Sequence, residues 1–304
     1  MVVGSTNVDM TVYVNRLPRP GETVGGGRFK QANGGKGANQ AVAAARLGGD
    51  VLFVTCVGDD INGHALERCF AGEGIDTSAM KFSRTSSTGT ALIYVSDDGE
   101  NCIAVAPGAN SELSVDALEA LGDTLEGAEY VLLQLEIPSE TVYHAVETAS
   151  SAGTKVILNP APLSSSIPAR ILSRLWLITP NATEAEMLTG LPVRTEEGAR
   201  AAAAELISRG VKNVVITLGS SGSLVCTGKE CVMVPARKVE AVDTVGAGDA
   251  FNGALVTALS EGRTLMEAAR FATVAASISV TREGAQSGDP YRSEVDELIS
   301  TFKL

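Results

Sequence analysis

The sequence predicts an α/β protein with a doubly wound, mostly parallel central sheet. Short apolar segments alternate with stretches of helical periodicity along the chain, and this β-α-β rhythm is typical of parallel sheets. Segments such as Val131–Leu133 and Val214–Ile216 are continuously apolar, which indicates strands covered by helices on both faces. No linker, repeat or low-complexity segment interrupts the 304 residues, so we expect one domain over residues 1–304.

The predicted strands and helices follow one another in chain order. The strands, each rich in Val, Leu or Ile, are Val2–Gly4, Val51–Val57, Tyr130–Leu135, Lys155–Asn159, Leu175–Thr179 and Asn213–Leu218. The helices between and after them are Lys36–Leu47, Gly63–Ala71, Ser114–Leu121, Ser139–Ala152, Glu196–Arg209 and Asp249–Ser260. The last helix is assigned from Phe251, Leu255 and Leu259, whose four-residue spacing puts them on one face. In such a sheet, ligands bind beyond the carboxyl ends of the strands.

Four further short segments interrupt this rhythm. Thr11–Val14 and Gly26–Gln31 have no helix between them, and Thr90–Val95 and Cys102–Val105 flank the turn Asp97-Asp-Gly-Glu-Asn101 as in a hairpin. They form either a small second sheet inserted into the main one or edge strands of the main sheet. The local pattern favours neither arrangement.

Composition narrows the functional classes. The chain has 24 Lys and Arg against 36 Asp and Glu, a formal net charge of −12. So acidic a chain lacks the basic surface of a nucleic-acid-binding protein and is repelled by an anionic membrane. No apolar run approaches the ~20 residues that span a bilayer, and the N-terminus lacks the basic region of a secretory signal. We therefore expect neither nucleic acid nor a membrane as a partner.

The cysteines indicate a reducing compartment. Their number is odd, no CxxC pair occurs, and they are scattered at Cys56, Cys69, Cys102, Cys226 and Cys231. This pattern favours reduced thiols in a cytoplasmic protein over a disulfide framework or a zinc site. The two histidines, His64 and His144, are too few for a His-rich metal centre.

The strongest functional signal is the segment Asp243-Thr-Val-Gly-Ala-Gly-Asp-Ala-Phe-Asn-Gly253. Gly246, Ala247 and Gly248 directly precede the helix predicted from Asp249, so their backbone N–H groups can converge on an anion at a helix N-terminus. An acid there can accept a hydroxyl proton while the N–H groups stabilise charge on a transferring phosphoryl group. Alone, Asp249 would be interpreted as an N-cap beside a tight turn. The order of glycines, acid and helix favours catalysis.

The second signal is Asn33-Gly-Gly-Lys-Gly-Ala-Asn-Gln-Ala-Val-Ala-Ala-Ala-Arg-Leu-Gly48. Its glycines lead into a helix whose first turn presents Lys36 and Asn39. A cation beside an amide that both donates and accepts suits a polyhydroxyl ligand. The alternative is a solvated lysine beside a plain turn.

Other phosphate-binding motifs do not match. Gly35-Lys36 is followed by Gly37, where a Walker A loop requires Ser or Thr. The first strand is followed by Ser5-Thr6-Asn7, where a dinucleotide fingerprint requires GxGxxG. The HRD and DFG motifs of protein kinases are absent from the sequence.

Together the two glycine-rich segments resemble the ribokinase branch of the ribokinase/PfkB sugar-kinase family, over nearly the whole chain. Five shorter segments support the resemblance in the family's order: Ser5-Thr-Asn7-Val-Asp9, Gln134-Leu-Glu136-Ile-Pro138, Asn159-Pro-Ala-Pro162, Pro180-Asn181-Ala-Thr-Glu184 and Thr217-Leu-Gly-Ser-Ser-Gly222. Related fructokinases and adenosine kinases share the Gly-Asp signature more than the GGKGANQ segment. The Lys36 and Asn39 pair therefore indicates ribose.

The resemblance implies ATP-dependent phosphorylation of the 5-hydroxyl of D-ribose. In this family pattern Asp249 takes the hydroxyl proton, and the N–H groups of Gly246, Ala247 and Gly248 stabilise the γ-phosphate charge. The residues at the sugar-binding positions are Asn7, Asp9, Gly35, Lys36, Asn39 and Glu136, together with Asp249.

The resemblance also implies ATP, Mg²⁺ and K⁺ sites. The nucleotide positions are Asn181, Thr217, Leu218, Gly219, Ser220, Ser221, Gly222, Gly248 and Thr273. Mg²⁺ is expected on ATP phosphates and waters, with Glu184 acting indirectly. The K⁺ positions are Asp243, Val245, Ser279, Arg282, Gly284 and Gly288, with Ser287 as the alternative to the last. Val245 stands where the family often has Thr, a change that a backbone carbonyl contact survives.

In the family pattern the four short segments form a β lid over the sugar, approximately residues 11–32 and 88–107. Ile93, Val95, Ile103 and Val105 would leave apolar surface on this lid, so we expect a homodimer that covers it. Two alternatives remain open: another sugar or nucleoside kinase of the family, and a non-catalytic sugar-binding relative.

Overall fold

The structure, a computed structural model, describes the backbone of residues 1–301 and the side chains of residues 1–300. Its strands are β1 Val2–Val3, β2 Asn7–Val14, β3 Arg28–Gly34, β4 Phe53–Val54, β5 Cys56–Gly58, β6 Lys81–Ser83, β7 Gly89–Ser96, β8 Asn101–Ala106, β9 Tyr130–Leu133, β10 Lys155–Leu158, β11 Leu177–Ile178, β12 Asn213–Thr217, β13 Ser223–Thr227 and β14 Cys231–Val234. Its helices are α1 Lys36–Arg46, α2 Ile61–Gly72, α3 Val115–Glu119, α4 Ser139–Ser151, α5 Ala169–Leu172, α6 Ala182–Thr189, α7 Glu196–Ser208, α8 Ala247–Ser260, α9 Leu265–Ser279, α10 Ala285–Gly288 and α11 Arg292–Thr301. Among these helices, none is both long and apolar enough to cross a membrane.

An eight-stranded sheet organises the chain, in the order β14-β13-β12-β11-β10-β9-β1-β4. Six neighbouring strands pair in parallel: β4, β1, β9, β10, β11 and β12. Strands β13 and β14 add two antiparallel strands at one edge. Successive residues of β9 alternate between two apolar clusters: Leu132 packs in one and Val131 and Leu133 in the other. Both faces are therefore covered, and the predicted doubly wound α/β fold is confirmed.

The chain reverses its winding direction at β1. It passes from β1 to its neighbour β4 on one side and later returns to β9 on the other. Loops that leave β1 and β9 therefore diverge at the carboxyl edge of the sheet, which is where doubly wound proteins form a crevice.

The four short predicted segments form a separate sheet in the order β3-β2-β7-β8. The edge-strand alternative is wrong, because β2 pairs with β7 in parallel from Asn7↔Gly89 to Val14↔Ser96 and has no partner in the main sheet. Strands β3 and β8 pair antiparallel on either side. Each strand is longer than predicted, since cross-strand pairing extends beyond the β-branched residues that identify a strand locally.

Several boundaries differ from the prediction. The segment Val51–Val57 divides into β4 and β5, and β5 pairs with β6 in a two-stranded sheet of its own. Helix α8 begins at Ala247 instead of Asp249, after Gly246 at φ +76°. Several elements were not predicted from the local pattern: β6, β13, β14, α5, α6, α9, α10 and α11.

The expectation of reduced thiols is wrong for one pair of cysteines. Cys226 and Cys231 form a disulfide, because the antiparallel register of β13 and β14 places them directly opposite at a Cα–Cα distance of 4.1 Å. Cys56, Cys69 and Cys102 are free thiols. Cross-strand register of this kind is set by the whole hairpin and cannot be read from cysteine spacing.

Candidate active site

The predicted functional segments meet at the carboxyl edge of the main sheet. Asn7 follows β1, Glu136 follows β9, Asn159 follows β10, Asn181 follows β11 and Thr217 ends β12. Helices α1 and α8 bring their N-termini to the same edge, since Lys36 begins α1 and Ala247 begins α8. Parallel strands end at one edge of a sheet, so residues far apart in sequence converge there.

Two glycines let α1 begin against the loop that leaves β1. Gly35 has φ +89°, and a Cβ atom there would lie 2.8 Å from the Asn7 backbone nitrogen. A Cβ atom on Gly37 would lie 2.5 Å from the Ser5 nitrogen. Larger residues would push the helix away, so the glycines position the first turn of α1, including Lys36.

Glu136 joins this helix terminus to the sheet. Its Oε2 accepts hydrogen bonds from the Ser5 hydroxyl at 2.6 Å and from the Lys36 backbone N–H at 2.9 Å. The carboxylate therefore satisfies one of the N–H groups that a helix start leaves without an intrahelical acceptor.

Asp249 lies in the first turn of α8 and is only 6% exposed. Two consecutive residues of α1 donate to its carboxylate: Asn39 Nδ2 to Oδ2 at 3.0 Å and Gln40 Nε2 to Oδ1 at 2.9 Å. Burial raises the pKa of Asp249, while Lys36 and the Asn39 and Gln40 amides lower it. The carboxylate is therefore buried but supported by donors that favour its charged form.

One cation faces four carboxylates in the site. Burial alone would lower the pKa of Lys36, but the charges of Asp249, Glu136, Glu184 and Asp9 raise it above its ordinary value. Lys36 therefore stays charged at neutral pH and offsets part of the surrounding negative charge.

Asp9 is the least supported of these carboxylates. No donor among residues 1–300 contacts its side chain, which lies over Gly34, where a Cβ atom would be 2.3 Å from Oδ2. Burial and then the charge of Glu136 raise the pKa of Asp9 to about 6, against the opposing effect of Lys36. Such a carboxylate can accept hydrogen bonds from the hydroxyl groups of a ligand.

A residue that the sequence analysis missed orients Asn7. Asn110, buried after β8, donates its Nδ2 to the Asn7 side-chain oxygen at 2.8 Å and to the Thr6 carbonyl at 3.0 Å. Its own Oδ1 accepts from the Thr6 backbone N–H at 2.8 Å. The Asn7 amide therefore points its nitrogen away from Asn110. The only local signal for Asn110 is an amide in a Pro-Gly turn, which is common in loops.

The N-terminus of α8 forms one wall of the site. A Cβ atom on Gly246 would lie 2.6 Å from the Ala285 side chain, so this position requires glycine for space as well as for its positive φ. The Ala247 N–H donates to the Thr244 carbonyl at 3.3 Å. A Cβ atom on Gly248 would have no neighbour within 4 Å, so the surface of this glycine faces open space at the start of the helix dipole.

Between the two helix N-termini lies a polar cleft of about 230 Å³. It is lined by Lys36, Asn159, Ala161, Thr179, Asn181, Glu184, Thr217, Thr244, Gly246, Gly248, Asp249 and Asn252. Seven of these are predicted site residues. The sequence patterns did not point to Thr179 or Asn252, whose side chains join the end of β11 to α8 through a 2.6 Å hydrogen bond. A wider surface depression of about 520 Å³ near His144 contains none of the predicted residues.

The predicted nucleotide residues have different local environments. Asn181 and Glu184 form a capping box at the start of α6, with side chain and backbone bonded in both directions. Residues Gly219–Ser221 form a 3₁₀ turn after β12, and Gly222 at φ +99° packs against the Val234 carbonyl. The Thr273 hydroxyl donates to the Ala269 carbonyl within α9 and does not line the cleft.

The Asp243 carboxylate links two loops beside the α8 N-terminus, and two carbonyl oxygens lie close together near Gly288. Asp243 accepts from the Val245 N–H at 2.9 Å and from the Gly284 N–H at 2.8 Å, and so joins the loop before α8 to the loop before α10. A Cβ atom on Gly288 would lie 3.1 Å from the Ser279 carbonyl oxygen and 3.7 Å from that of Arg282. Carboxylate and carbonyl oxygens are the donors that hard cations prefer.

Comparison with known proteins identifies close relatives. The profile of the pfkB family carbohydrate kinases matches residues 1–292. A ribokinase of Haemophilus influenzae is 44% identical and covers 98% of this chain and 97% of its own. A deoxyribokinase of Salmonella typhi is 40% identical and covers 98% of both chains. The structure of an Arabidopsis thaliana ribokinase complexed with ribose and ATP superposes with a TM-score of 0.92 at 35% identity, covering 98% of this chain and 97% of that one.

The raised pKa of Asp9 predicts a pH-dependent effect of Asp9→Asn on stability. A carboxyl whose pKa is higher folded than unfolded costs stability as pH rises through that range, whereas Asn costs nothing. At roughly 1.4 kcal/mol per pKa unit, the free energy of unfolding of Asp9→Asn relative to wild type should increase by about 1 kcal/mol between pH 5 and pH 8. Urea denaturation at both pH values measures this, with exposed Asp97→Asn as the baseline. A pH-independent difference would contradict the assignment.

Proposed function

Because the chain belongs to the pfkB family of carbohydrate kinases, we propose that it transfers the γ-phosphoryl group of ATP to the 5-hydroxyl of D-ribose. The observation that carries this proposal is Asp249, a buried carboxylate at a helix N-terminus that faces Lys36 across a polar cleft. The ribokinase relatives, one of them complexed with ribose and ATP, support the choice of sugar and co-substrate.

The sugar binds on the lid side of Lys36. Asp9 accepts hydrogen bonds from ribose hydroxyls, because its carboxylate has no donor among the described residues, and Asn7, the Gly35 backbone and Glu136 surround the same space. Asn39 contributes the donor hydrogen that its bond to Asp249 leaves free. A sugar without the matching hydroxyl leaves the half-buried Asp9 unpaired, and that penalty provides selectivity.

Asp249 is the base in the proposed reaction. Its carboxylate accepts the proton of the 5-hydroxyl while that oxygen attacks the γ-phosphorus; the bond from phosphorus to the bridging oxygen breaks, and ADP leaves with that electron pair. The N–H groups at the start of α8, from Gly246 to Gly248, stabilise the negative charge on the transferring group. Lys36 adds positive charge at the same place.

ATP occupies the cleft and the loop after β12. Thr217, Leu218 and the turn Gly219–Gly222 contact the nucleotide, with Asn181 and Gly248 nearer the phosphates and Thr273 towards the base. Glu184, which lines the cleft, would hold Mg²⁺ through water, and the ion would lower the repulsion between the ATP phosphates and the acidic site. Because the co-substrate is ATP, we expect the enzyme to act in the cytoplasm.

A monovalent cation, K⁺, binds between the loop before α8 and the loop before α10. Asp243 and the carbonyl oxygens near Val245, Ser279, Arg282, Gly284 and Gly288 supply its ligands. The convergence of the Ser279 and Arg282 carbonyls beside Gly288 supports this position. The ion would order the start of α8, since Asp243 joins both loops.

The β3-β2-β7-β8 sheet acts as a lid over the sugar and as the surface of a homodimer. The register places Ala91, Ile93, Ile103 and Val105 on the same face as Asp9. Ile103 and Val105 are 55% and 59% exposed, and every residue of the edge strand β8 is exposed. A second copy of the lid would cover this apolar face and edge.

A substrate panel tests the proposed function. ADP release should be fastest in kcat/KM with D-ribose, slower with 2-deoxy-D-ribose, and near background with fructose or adenosine. The rate of ADP release with D-ribose should be higher in K⁺ than in Na⁺ or Tris buffer.

Other outcomes would change the proposal. A preference for 2-deoxy-D-ribose would assign the activity of the Salmonella relative instead. Preference for a nucleoside would replace ribose as substrate, and no transfer to any acceptor would favour a binding protein. Equal rates in K⁺ and Tris would contradict the cation site.

Asp249→Asn should lower kcat by about 10²–10⁴-fold, because the amide cannot accept the hydroxyl proton. Ribose binding, measured by calorimetry without ATP, should change little, since the amide keeps the size of the side chain and can still pair with Asn39. Full turnover in a preparation free of wild-type enzyme would remove Asp249 from the role of base.

Ile103→Asp should convert the dimer to a monomer, because it puts a charge into the apolar face that the second lid covers. Sedimentation at micromolar concentration measures the change. Met187→Asp, which places the same charge on an exposed apolar residue of α6, is the control and should remain dimeric. A wild-type protein that sediments as a monomer would refute the dimer.

A further inference from the structure

The amide of Gln40 contacts Asp249 from behind the cleft, and we propose that Gln40 is a positioning residue that orients the Asp249 carboxylate for proton transfer. The inference rests on the proposed role of Asp249 as base. It concerns a residue of the GGKGANQ segment to which the sequence pattern assigned no function.

Gln40 is fully buried and does not line the cleft. Its Nε2 donates to Asp249 Oδ1 at 2.9 Å and to Asn159 Oδ1 at 3.0 Å, and its Oε1 accepts from Gln134 Nε2 at 2.6 Å. Both donor hydrogens are therefore used by protein atoms. A sugar or nucleotide in the cleft has no access to this amide, so any effect of Gln40 on catalysis must pass through its neighbours.

The direction of the Gln40 amide is determined by groups whose hydrogen-bonding roles cannot be exchanged. Asn159 donates its Nδ2 to the Thr179 backbone carbonyl at 3.0 Å, so it presents its oxygen to Gln40. The Asp249 carboxylate, when ionised, can likewise only accept hydrogen bonds. Gln40 must therefore direct its nitrogen to both, and its oxygen to Gln134.

The preceding residue in α1, Asn39, completes the support of the carboxylate. Asn39 Nδ2 donates to the other oxygen of Asp249, and its Oδ1 accepts from Gln286 Nε2 at 3.1 Å. Rotation of the carboxylate about its Cβ–Cγ bond would break both hydrogen bonds. The remaining lone pairs of Asp249 therefore point in fixed directions. A general base needs such fixed directions to accept a proton from a bound hydroxyl group.

Gln40 and Asn39 differ in what else they can touch. Asn39 belongs to the proposed sugar site and keeps one free donor hydrogen, whereas Gln40 has none. Removing Asn39 would therefore affect sugar binding and the base together. Removing Gln40 leaves the Asn39 donor in place, and the Asp249→Asn background separates an effect through the base from one through Asn159.

Gln134 supports Gln40 from the end of β9. A Cβ atom on Gly4 would lie 2.0 Å from Gln134 Oε1, so the glycine at the end of β1 provides the space for this side chain. That oxygen is buried without a partner in the described structure, which leaves the bond to Gln40 as the polar contact of the Gln134 side chain. Gln134 thus contacts Gln40 without contacting Asp249.

Gln40→Met tests the proposal because it keeps the length and approximate volume of the side chain and removes the amide. We expect kcat to fall roughly 10–100-fold while KM for ribose changes less than about threefold, since a misplaced base affects the transition state more than ground-state binding. The same substitution in the Asp249→Asn background should lower the residual kcat less than about twofold, because the group that Gln40 orients is already absent.

Thr257→Val is the matched control. The buried Thr257 hydroxyl shares its hydrogen between the Gly253 carbonyl of α8 at 2.9 Å and the Ala44 carbonyl of α1 at 3.2 Å, two turns beyond Asp249 and without contact to it. Its loss should lower the midpoint of urea denaturation and leave kcat within about twofold of wild type. This comparison separates orientation of the base from general loosening of the helix pair.

Three outcomes would overturn the proposal: wild-type kcat in folded Gln40→Met, a loss of kcat equal in the wild-type and Asp249→Asn backgrounds, or a rise in KM with kcat preserved. If Gln40→Met does not fold, Gln134→Met decides, because it removes the orienting contact and leaves Gln40 in place. A kcat loss of at least about threefold at unchanged KM supports the proposal, and wild-type kcat rejects it. Activity retained by Asp249→Asn alone would instead reject the proposed base.

Discussion

The burial of the Asp249 carboxylate between α1 and α8 is the constraint on which the rest of the site depends. A charge that loses its water must regain hydrogen bonds and a counter-charge, or it becomes protonated. Helix α1 supplies all three groups: the amides of Asn39 and Gln40 and the ammonium of Lys36. They can reach Asp249 because the helices pack closely at Gly253, where a Cβ atom would lie 2.6 Å from the Ala43 side chain.

The same groups explain why the site is strongly polar without being basic. Lys36 faces four carboxylates, so the fixed charge of the cleft is negative although its co-substrate is an anion. Besides Lys36, positive potential comes from the N-terminus of α8, and the proposed cations would add to it. An anion bound there would be held by directed groups at a few points, which suits transfer of one phosphoryl group better than retention of the whole nucleotide.

The small sheet is connected to this chemistry at the start of β2 and through its edge strand β3. Asn7 and Asp9 lie at the start of β2, where the chain leaves the main sheet, and Asn110 after β8 orients Asn7. At β3, Lys30 pairs with Glu283 in the loop before α10 at 3.4 Å. The sheet that carries Asn7 and Asp9, two of the proposed sugar ligands, thus also touches the loop that carries the proposed cation ligands. Exposed ion pairs of this kind contribute little to stability, so the contact does not by itself hold the sheet in place.

Local sequence patterns were sufficient to predict the alternating α/β organisation, the glycine-led start of α1 and the order of glycine, acid and helix at α8. Apolar periodicity and glycine placement act over a few residues, so both can be recognised in the sequence alone. The folded chain was needed to establish that the short strands form their own sheet, that Cys226 lies opposite Cys231, and that Asn110 and Gln40 support the functional residues. The contact between Gln40 and Asp249 joins residues 209 apart in sequence, and that between Asn110 and Thr6 joins residues 104 apart. Pairings of that kind depend on which strand ends meet at the edge of the folded sheet, and no local pattern in the chain encodes them.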